Sequence, residues 1–182
     1  MPIPRWNNTG NVFPTNIYDG NGAIDKYKYF HVKFNGISGI GNVAVTARGT
    51  CTLNGAVGLG SGSLTINGKT EISAPVSITA ANQNYNGEVK INADTNFSTS
   101  GSLAFKSTVT GSRKITLSGT GSTNIGNNIT LTGGNGIIEQ TGRKSVIIGD
   151  ASVLPSKITV TARTQTYSGS VVVKTDAEFN AQ

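Results

Sequence analysis

The amino-acid sequence predicts an all-β protein, built as a coil of short stacked strands (a parallel β-helix) or, alternatively, as a β-sandwich. Three observations support this prediction: a composition poor in helix formers, apolar pairs at regular intervals, and a long internal repeat. The coil is favoured over the sandwich because the apolar residues are mostly branched aliphatics that stack well. The turns agree with this choice, since they are rich in Gly and Asn and contain little Pro.

The composition is typical of strands and turns. The chain has 182 residues, of which 24 are glycines and only 13% are charged. Helices are rich in Ala, Leu, Glu, Lys and Arg, whereas Val and Thr favour strands and Gly and Asn favour turns. Hydrophobic residues make up 36% of the chain and recur regularly, which argues against disorder.

Residues 1–42 differ from the remainder and are expected to form an N-terminal cap or capping strands. They contain the only Trp, the only His and most of the aromatic residues. Within them, residues 28–34 alternate so that Phe30, Val32 and Phe34 share one face, which predicts a half-buried strand. A solenoid needs its open end covered, so this segment is expected to cap a repeat region that spans residues 43–182.

From residue 43 onward, apolar residues come in pairs at alternate positions, separated by Gly, Ser, Thr and Asn. Such pairs predict short strands with one buried face, joined by turns. The pairs that begin at Leu64, Val76 and Val89 are spaced by 12 and then 13 residues (76 minus 64 and 89 minus 76). The full set is Val43/Val45, Leu64/Ile66, Val76/Ile78, Val89/Ile91, Leu103/Phe105, Ile115/Leu117, Ile129/Leu131, Val146/Ile148, Ile158/Val160 and Val171/Val173.

A longer repeat relates residues 76–97 to residues 158–179 at a constant offset of 82 (158 minus 76). Matches at so many polar and glycine positions exceed what strand periodicity alone produces. The repeat therefore predicts a unit of several strands, in which the Tyr packs on a neighbour and the Gly relieves a tight bend. The shared positions are Thr79/Thr161, Ala80/Ala162, Gln83/Gln165, Tyr85/Tyr167, Gly87/Gly169, Val89/Val171, Asp94/Asp176 and Phe97/Phe179.

This repeat resembles those of a known family. The pattern Ala-Asn-Gln-x-Tyr-x-Gly-x-Val at residues 81–89, followed by Asp94, Phe97 and Gly-Ser-Leu-Ala-Phe at residues 101–105, resembles filamentous-haemagglutinin-like exoproteins and related large adhesins. The resemblance covers about residues 40–182. It implies a right-handed parallel β-helix, export by two-partner secretion or autotransport, and a role in adhesion, biofilm formation or toxin display. The first forty residues do not match, and the family's N-terminal secretion-domain motifs are not found.

Few residues offer catalytic, metal-binding or cofactor chemistry. His31, the only histidine, lies in a strand pattern with no elbow glycine motif beside it, so no catalytic triad is predicted. The single Cys51 allows neither an intramolecular disulfide nor a thiolate metal site and is expected to be buried. Asp94 and Asp176 could approach each other on different turns, but their matched places in the repeat favour a structural role. We therefore predict no catalytic residue, no metal, no cofactor and no enzymatic activity.

Two sets of side chains are weak candidates for surface binding. Trp6, Tyr29 and His31 could stack on a sugar ring, although packing within the cap is the favoured role. Three threonine pairs suggest an ice-binding face, because threonine rows on a flat β-helix face can order water: Thr108/Thr110, Thr130/Thr132 and Thr159/Thr161. Their unequal spacing predicts no register from turn to turn, so they are interpreted as ordinary strand residues.

The charge pattern indicates neither a nucleic-acid site nor a membrane segment. The formal net charge is +6, but Lys and Arg are spread singly, and the densest pairs are Arg113-Lys114 and Arg143-Lys144. A phosphate-binding site needs several cations that converge on one face. No apolar run is long enough to span a bilayer. Binding of nucleic acid and insertion into a membrane are therefore not expected.

Taken with the resemblance, these patterns predict a non-catalytic structural or binding segment of a bacterial surface or secreted adhesin. We expect it to be extracellular or at the bacterial cell surface, to meet a host or surface glycan or protein, and to continue into a larger polypeptide. The alternative is a phage virion structural protein such as a short tail fibre or decoration protein. A glycan-cleaving β-helix enzyme is the third candidate.

Overall fold

The computed structural model describes residues 31–142, 144–149 and 155–182, and these residues form strands and turns without a helix. The prediction of an all-β fold is thereby confirmed. The strands are β1 (Val32–Phe34), β2 (Ile37–Ser38), β3 (Val43–Leu53), β4 (Val57–Gly58), β5 (Ser63–Ile72), β6 (Val76–Tyr85), β7 (Val89–Ile91), β8 (Thr95–Phe105), β9 (Val109–Gly111), β10 (Ile115–Gly119), β11 (Ser122–Ile125), β12 (Ile129–Leu131), β13 (Ile137–Gln140), β14 (Val146–Ile148), β15 (Lys157–Ala162), β16 (Thr164–Tyr167), β17 (Val171–Val173) and β18 (Asp176–Ala181).

The strands coil into a parallel β-helix of about seven turns. Every strand pairing in the described residues is parallel, and each strand pairs with strands about one turn earlier and one turn later. A β-sandwich is built from antiparallel strands, so the sandwich alternative is wrong. The prediction of a parallel β-helix is confirmed.

Three sheets, which we name faces A, B and C, form the sides of the coil. The chain runs from face C to face A to face B in each turn, and several long strands bend at a corner to serve two faces. Face A contains β2, β4, the first part of β6, the first part of β8, β10, β13 and β16. Face B contains the first parts of β3 and β5, the second parts of β6 and β8, β11, β14 and β17. Face C contains β1, the second parts of β3 and β5, β7, β9, β12, β15 and β18.

The core is a stack of inward columns. Because side chains alternate along a strand and the turns are in register, one inward position stacks on the same position of the next turn. On face A, for example, Ile78 lies between Val57 and Phe97. The predicted apolar pairs all point inward, and those from Val43/Val45 to Ile158/Val160 are buried. Only the last pair differs, since Val171 is partly buried and Val173 is 51% exposed.

The stacking begins within the segment expected to be a cap. Val32 and Phe34 of β1 pair with Cys51 and Leu53, and both pack against the core. Ile37 of β2 pairs with Val57. Residues 1–30 lie outside the described residues, so the expected cap stays a prediction.

The two copies of the internal repeat lie on different faces. In the first copy, residues 76–80 lie on face A, residues 82–85 on face B and residues 89–91 on face C. In the second copy, residues 158–162 lie on face C, residues 164–167 on face A and residues 171–173 on face B. The offset of 82 residues therefore corresponds to three full turns and two further faces. Each copy of the repeated unit therefore covers all three faces of the coil and begins on a different face, face A in the first copy and face C in the second.

Candidate functional site

A column of small polar side chains runs along the corner where each turn enters face B. We call it the polar ladder, and its members are Asn42, Ser63, Asn82, Ser102, Ser122, Ser145 and Ser170. Each member stands one position before the first inward residue of its face B strand, so the alternation of the strand directs it outward. The ladder thus carries one hydroxyl or amide group per turn, spaced by about 4.8 Å.

Hydrogen bonds connect most neighbours in the ladder. The amide oxygen of Asn42 accepts from the backbone N–H of Ser63 at 2.9 Å. Asn82 donates to the hydroxyl of Ser63 at 3.3 Å and accepts from the N–H and hydroxyl of Ser102 at 3.0 and 3.1 Å. The hydroxyl groups of Ser145 and Ser170 are 2.7 Å apart. These bonds fix the side chains, so the ladder presents a rigid row of polar groups instead of a set of free rotamers.

Face A extends this polar surface sideways. Its outward columns include Thr79, Ser98 and Ser118 in one row and Asn96 with its neighbours in the next. Asn96 donates to Ser77 at 3.3 Å and accepts from Ser118 at 2.7 Å. The polar ladder and these outward columns of face A together form what we call the polar face. It offers donors and acceptors with little charge.

Three ion pairs connect charged side chains on neighbouring turns. Lys69 lies 3.2 Å from Glu88, Lys114 lies 2.5 Å from Glu139, and Lys157 lies 2.5 Å from Glu178. All six side chains are well exposed, so each pair contributes little to stability. The hydrogen bond from Lys157 lowers the pKa of the Glu178 carboxyl below its ordinary value. Glu139 continues the outward column of Asn96 and Thr116 on the polar face, and its pairing with Lys114 offsets its charge.

The structure does not bring Asp94 and Asp176 together. Asp94 stands at the corner that enters face A, where its carboxylate accepts from the backbone N–H of Lys114 at 3.1 Å. Asp176 begins β18 on face C, at a different corner. Because the second copy of the repeat begins two faces further along the coil, the matched acids lie at different corners. Asp94 acts as a turn residue, as its place in the repeat indicated.

Of the three weak binding candidates, only His31 lies in the described residues. It is exposed, and its Nδ1 atom accepts from the backbone N–H of Thr50 at 3.1 Å. It therefore lies beside face C, in the first described turn, and away from the polar ladder. Trp6 and Tyr29 lie outside the described residues.

Cys51 is buried, as expected. It is fully enclosed in the inward column of face C, between Val32 and Thr70. Burial raises the pKa of the Cys51 thiol to about 12, so the reactive thiolate is suppressed. No group of three or more His, Cys, Asp or Glu residues that could hold a metal ion occurs in residues 31–142, 144–149 and 155–182.

Lys144 is a buried cation, although the sequence pattern indicated only scattered surface charge. It is 3% exposed, and its ammonium group donates to the backbone oxygen of Ser118 at 2.6 Å, across one corner of the coil. Burial lowers the pKa of Lys144 to about 8 from its ordinary value of 10.5. The Lys144 ammonium group therefore contributes no positive charge to the outer surface of the coil, although the sequence placed it in the Arg143-Lys144 pair.

The expectation that threonines would be out of register is wrong for one column. Thr110, Thr130 and Thr161 lie on successive turns of face C in register. The corner loops differ in length, but strand pairing restores the register in each turn, which sequence spacing does not show. Lys90 and Asn180 flank this column, so it forms a stripe only three hydroxyl groups long.

In the part of the chain that the structure describes, no helix could cross a membrane. Comparison of the chain with protein-family models, with curated proteins and with solved structures finds no match.

Proposed function

We propose that this chain is a non-catalytic structural and binding segment of a bacterial adhesin, exposed at the cell surface or secreted. The polar face supports this proposal more than any other feature. It places hydroxyl and amide groups in straight rows on a core of stacked aliphatic and aromatic side chains. A rigid row of this kind can bind an extended ligand through many weak hydrogen bonds without ordering itself first.

The chemistry of the polar face favours a glycan or the polar surface of a protein as the ligand. Its groups both donate and accept hydrogen bonds, as the hydroxyl groups of a sugar do. Repetition at one group per turn lets a chain-like ligand contact several turns at once, so that weak contacts add up. The resemblance of residues 81–105 to adhesin repeats agrees with this ligand class.

Binding to a glycan array and to immobilised extracellular-matrix proteins tests the proposal. Ser102→Lys combined with Ser145→Lys puts two long side chains on the polar ladder, two turns apart. Thr110→Lys combined with Thr161→Lys puts the same two charges two turns apart on face C and serves as the matched control. We expect the first variant to lose about tenfold or more in affinity, which is about 1.4 kcal/mol, and the second to bind nearly as the parent does.

Three results would contradict the proposal. The parent chain could bind none of these probes, or the two variants could lose affinity equally. The third result is the release of new reducing ends from a bound glycan, which would support the glycan-cleaving enzyme instead. A stable trimer without glycan binding would favour the virion structural protein.

A further inference from the structure

Three buried polar side chains lie at the corner between faces A and B. They are Thr99, Thr123 and Lys144, which we name the corner cluster, and each is at most 3% exposed. They belong to three successive turns, because Thr99 pairs with Gly119 at the start of the turn that contains Thr123, and Thr123 pairs with Val146 of the next turn. A polar group removed from water is costly unless it finds a partner inside the protein.

Lys144 occupies a position at which a side chain points toward the preceding turn. A Cβ atom added at Gly121, the matching position one turn earlier, would lie 2.0 Å from the backbone oxygen of Gly101 in the turn before it. The side chain of Lys144 takes the same direction, since its ammonium group reaches the oxygen of Ser118 in the preceding turn at 2.6 Å. In most turns this position is a glycine, as at Gly41, Gly62, Gly101, Gly121 and Gly169. A lysine here therefore carries its charge into the corner.

The positive charge of Lys144 has no counter-charge in the part of the chain that the structure describes. The oxygen of Ser118 is the partner of one ammonium N–H group, and the three ion pairs of the coil all involve other lysines. Burial lowers the pKa of Lys144 to about 8, and a group with this pKa is still mostly protonated at pH 7. An isolated charge is the most costly group to bury. The folded chain thus holds an uncompensated cation at neutral pH.

Two threonine hydroxyl groups beside this cation also lack partners. The Oγ1 atoms of Thr99 and Thr123 are buried and form no hydrogen bond with any described residue. The Oγ1 atom of Thr99 lies 2.9 Å from the place that a Cβ atom at Gly121 would take. Because Gly121 has no side chain, it leaves this hydroxyl open toward Lys144 of the next turn. Thr123 follows Gly121 by two residues and points inward on face B. Hydroxyl and ammonium donors are therefore gathered at one corner.

We propose that the corner cluster binds a small monovalent anion of the halide class, such as chloride. The ammonium group of Lys144 supplies the charge, and the hydroxyl groups of Thr99 and Thr123 donate to the same ion. A halide accepts hydrogen bonds from all three side chains and neutralises the buried cation, whereas a neutral water molecule leaves the charge uncompensated. The ion connects three successive turns, so its binding stabilises the stacking of the coil.

Urea denaturation in different sodium salts at equal ionic strength and pH 7 tests the proposal. A ligand that binds only the folded chain raises its stability as the ligand concentration increases. We expect the urea midpoint of the parent chain to rise with chloride or bromide more than with gluconate, an anion too large to be enclosed at the corner. Lys144→Met removes the charge and should respond equally to all three salts. The same response in the parent chain and in Lys144→Met would overturn the proposal.

Two threonine variants locate the effect within the coil. Thr123→Val keeps the branched shape and removes one donor, so we expect the apparent dissociation constant for chloride to rise about tenfold, as for the loss of one hydrogen bond to a charged group. Thr70→Val is the matched control, because Thr70 is also buried with an unpartnered hydroxyl but lies on face C beside Cys51. It should leave the chloride dependence unchanged. Equal changes at the two threonines, or no change at Thr123, would contradict the proposed ligands.

A crystal of the parent chain grown in sodium bromide identifies the bound species directly. Bromide scatters X-rays anomalously, so we expect an anomalous difference peak within hydrogen-bond distance of the Lys144 ammonium group and the two threonine hydroxyl groups. A crystal of Lys144→Met should lack this peak. A water molecule at the corner without anomalous signal would overturn the proposal. A peak in a chain whose stability does not depend on chloride would indicate an adventitious ion only, and would overturn it as well.

Discussion

At the level of single residues, buried amide side chains hold neighbouring turns together. The side-chain N–H groups of Gln83 donate to the backbone oxygens of Ile78 and Ser98, at 2.8 and 2.9 Å. Its oxygen accepts from the hydroxyl of Tyr85 at 3.1 Å. In the second copy Gln165 makes the same contacts with Val160, Asn180 and Tyr167, at 3.0, 3.0 and 3.1 Å. The Gln-x-Tyr motif is therefore a clamp that satisfies the backbone where the chain turns a corner.

Replacing the glutamine of the first clamp should be costly. Gln83→Leu leaves two carbonyl oxygens and the Tyr85 hydroxyl without their partners inside the core, so we expect a loss of about 2 to 4 kcal/mol in the free energy of unfolding, measured by urea denaturation. Gln165→Leu is the matched control, and it should cost less because Tyr167 and Gln165 are only partly buried. Adding Tyr85→Phe to Gln83→Leu should recover part of the loss, since the orphaned hydroxyl is gone. Equal losses at the two glutamines would contradict this explanation.

The buried Lys144 makes stability depend on pH in the alkaline range. Its pKa is about 8 in the folded chain and ordinarily 10.5, so the unfolded chain binds the proton more strongly between these values. The free energy of unfolding should therefore rise with pH through this window, by on the order of 2 kcal/mol between pH 8 and 10. Lys144→Met should lack this rise.

The measurement is the difference between the parent chain and Lys144→Met in urea denaturation from pH 7 to 10. Using the difference matters because burial raises the pKa of Cys51 and Tyr167, each to about 12, and such groups make stability fall as the pH rises. Those contributions are common to both proteins and cancel. A difference that stays constant with pH would show that Lys144 is not desolvated as the structure indicates.

At the level of the strands and corners, glycine allows neighbouring turns to approach closely. A Cβ atom added at Gly87 would overlap the backbone oxygen of Gly68, and one added at Gly169 would overlap that of Lys144. These are the two glycines that the repeat shares, and in both copies the absent side chain makes room for the neighbouring turn. That they relieve a tight bend stays a prediction. The prediction that the repeated Tyr packs on a neighbour is confirmed, because Tyr85 stacks on Phe105 with a ring-centroid distance of 5.4 Å.

An alanine at Gly87 should destabilise the coil, whereas an alanine at Gly58 should not. The added methyl group at Gly87 meets backbone atoms, which cannot move aside as a flexible side chain can, so we expect a loss of about 1 to 3 kcal/mol. A Cβ atom at Gly58 meets nothing within 4 Å and lies in a strand, so Gly58→Ala should be neutral or stabilise by a few tenths of a kcal/mol. Thermal unfolding of the two variants gives the comparison. A neutral Gly87→Ala would mean that the turns are not as closely stacked as described.

The strands could be predicted from the sequence. The face of the coil that each strand joins, and its register with the neighbouring turns, could not. Alternating pairs such as Leu64/Ile66 mark an inward face wherever they occur, because alternation is a local property of a strand. The corners vary in length, so the turn from Thr95 to Ile115 takes 20 residues (115 minus 95) and the turn from Ile115 to Ile138 takes 23 (138 minus 115). Pairing between turns then decides which face a strand joins. Sequence spacing does not contain that information, which is why Thr110, Thr130 and Thr161 were expected to be out of register.

At the level of the whole molecule, the candidate site emerges only after the turns are stacked. The sequence pointed to Trp6, Tyr29 and His31, because aromatic residues are conspicuous in a chain of small residues. Composition does not distinguish the residues of the polar ladder, since serine and asparagine are common throughout this chain. A local signal was present, however: each ladder residue directly precedes the first inward residue of a face B strand, as Ser102 precedes Leu103.

The placement of the two repeat copies on different faces also depends on the whole coil. Two segments that match at Gln83/Gln165 and Tyr85/Tyr167 would be expected one above the other on the same face. Instead they occupy different faces, because 82 residues do not make a whole number of turns in this coil. The clamp depends on its corner and on the turns beside it, so the same unit serves at two positions.

Distances along the polar ladder test the central claim, that the chain is a coil with one ladder residue in each turn. Spin labels placed at Asn42 and, in separate variants, at Ser122, Ser145 or Ser170 are separated by four, five and six turns. Pulsed electron–electron double resonance, with labelled chains diluted by unlabelled ones, should give distances of about 19, 24 and 29 Å, increasing by a constant step per turn. The buried Cys51 should stay unlabelled. Distances that do not increase in equal steps along the series would contradict the coil and the polar face built on it.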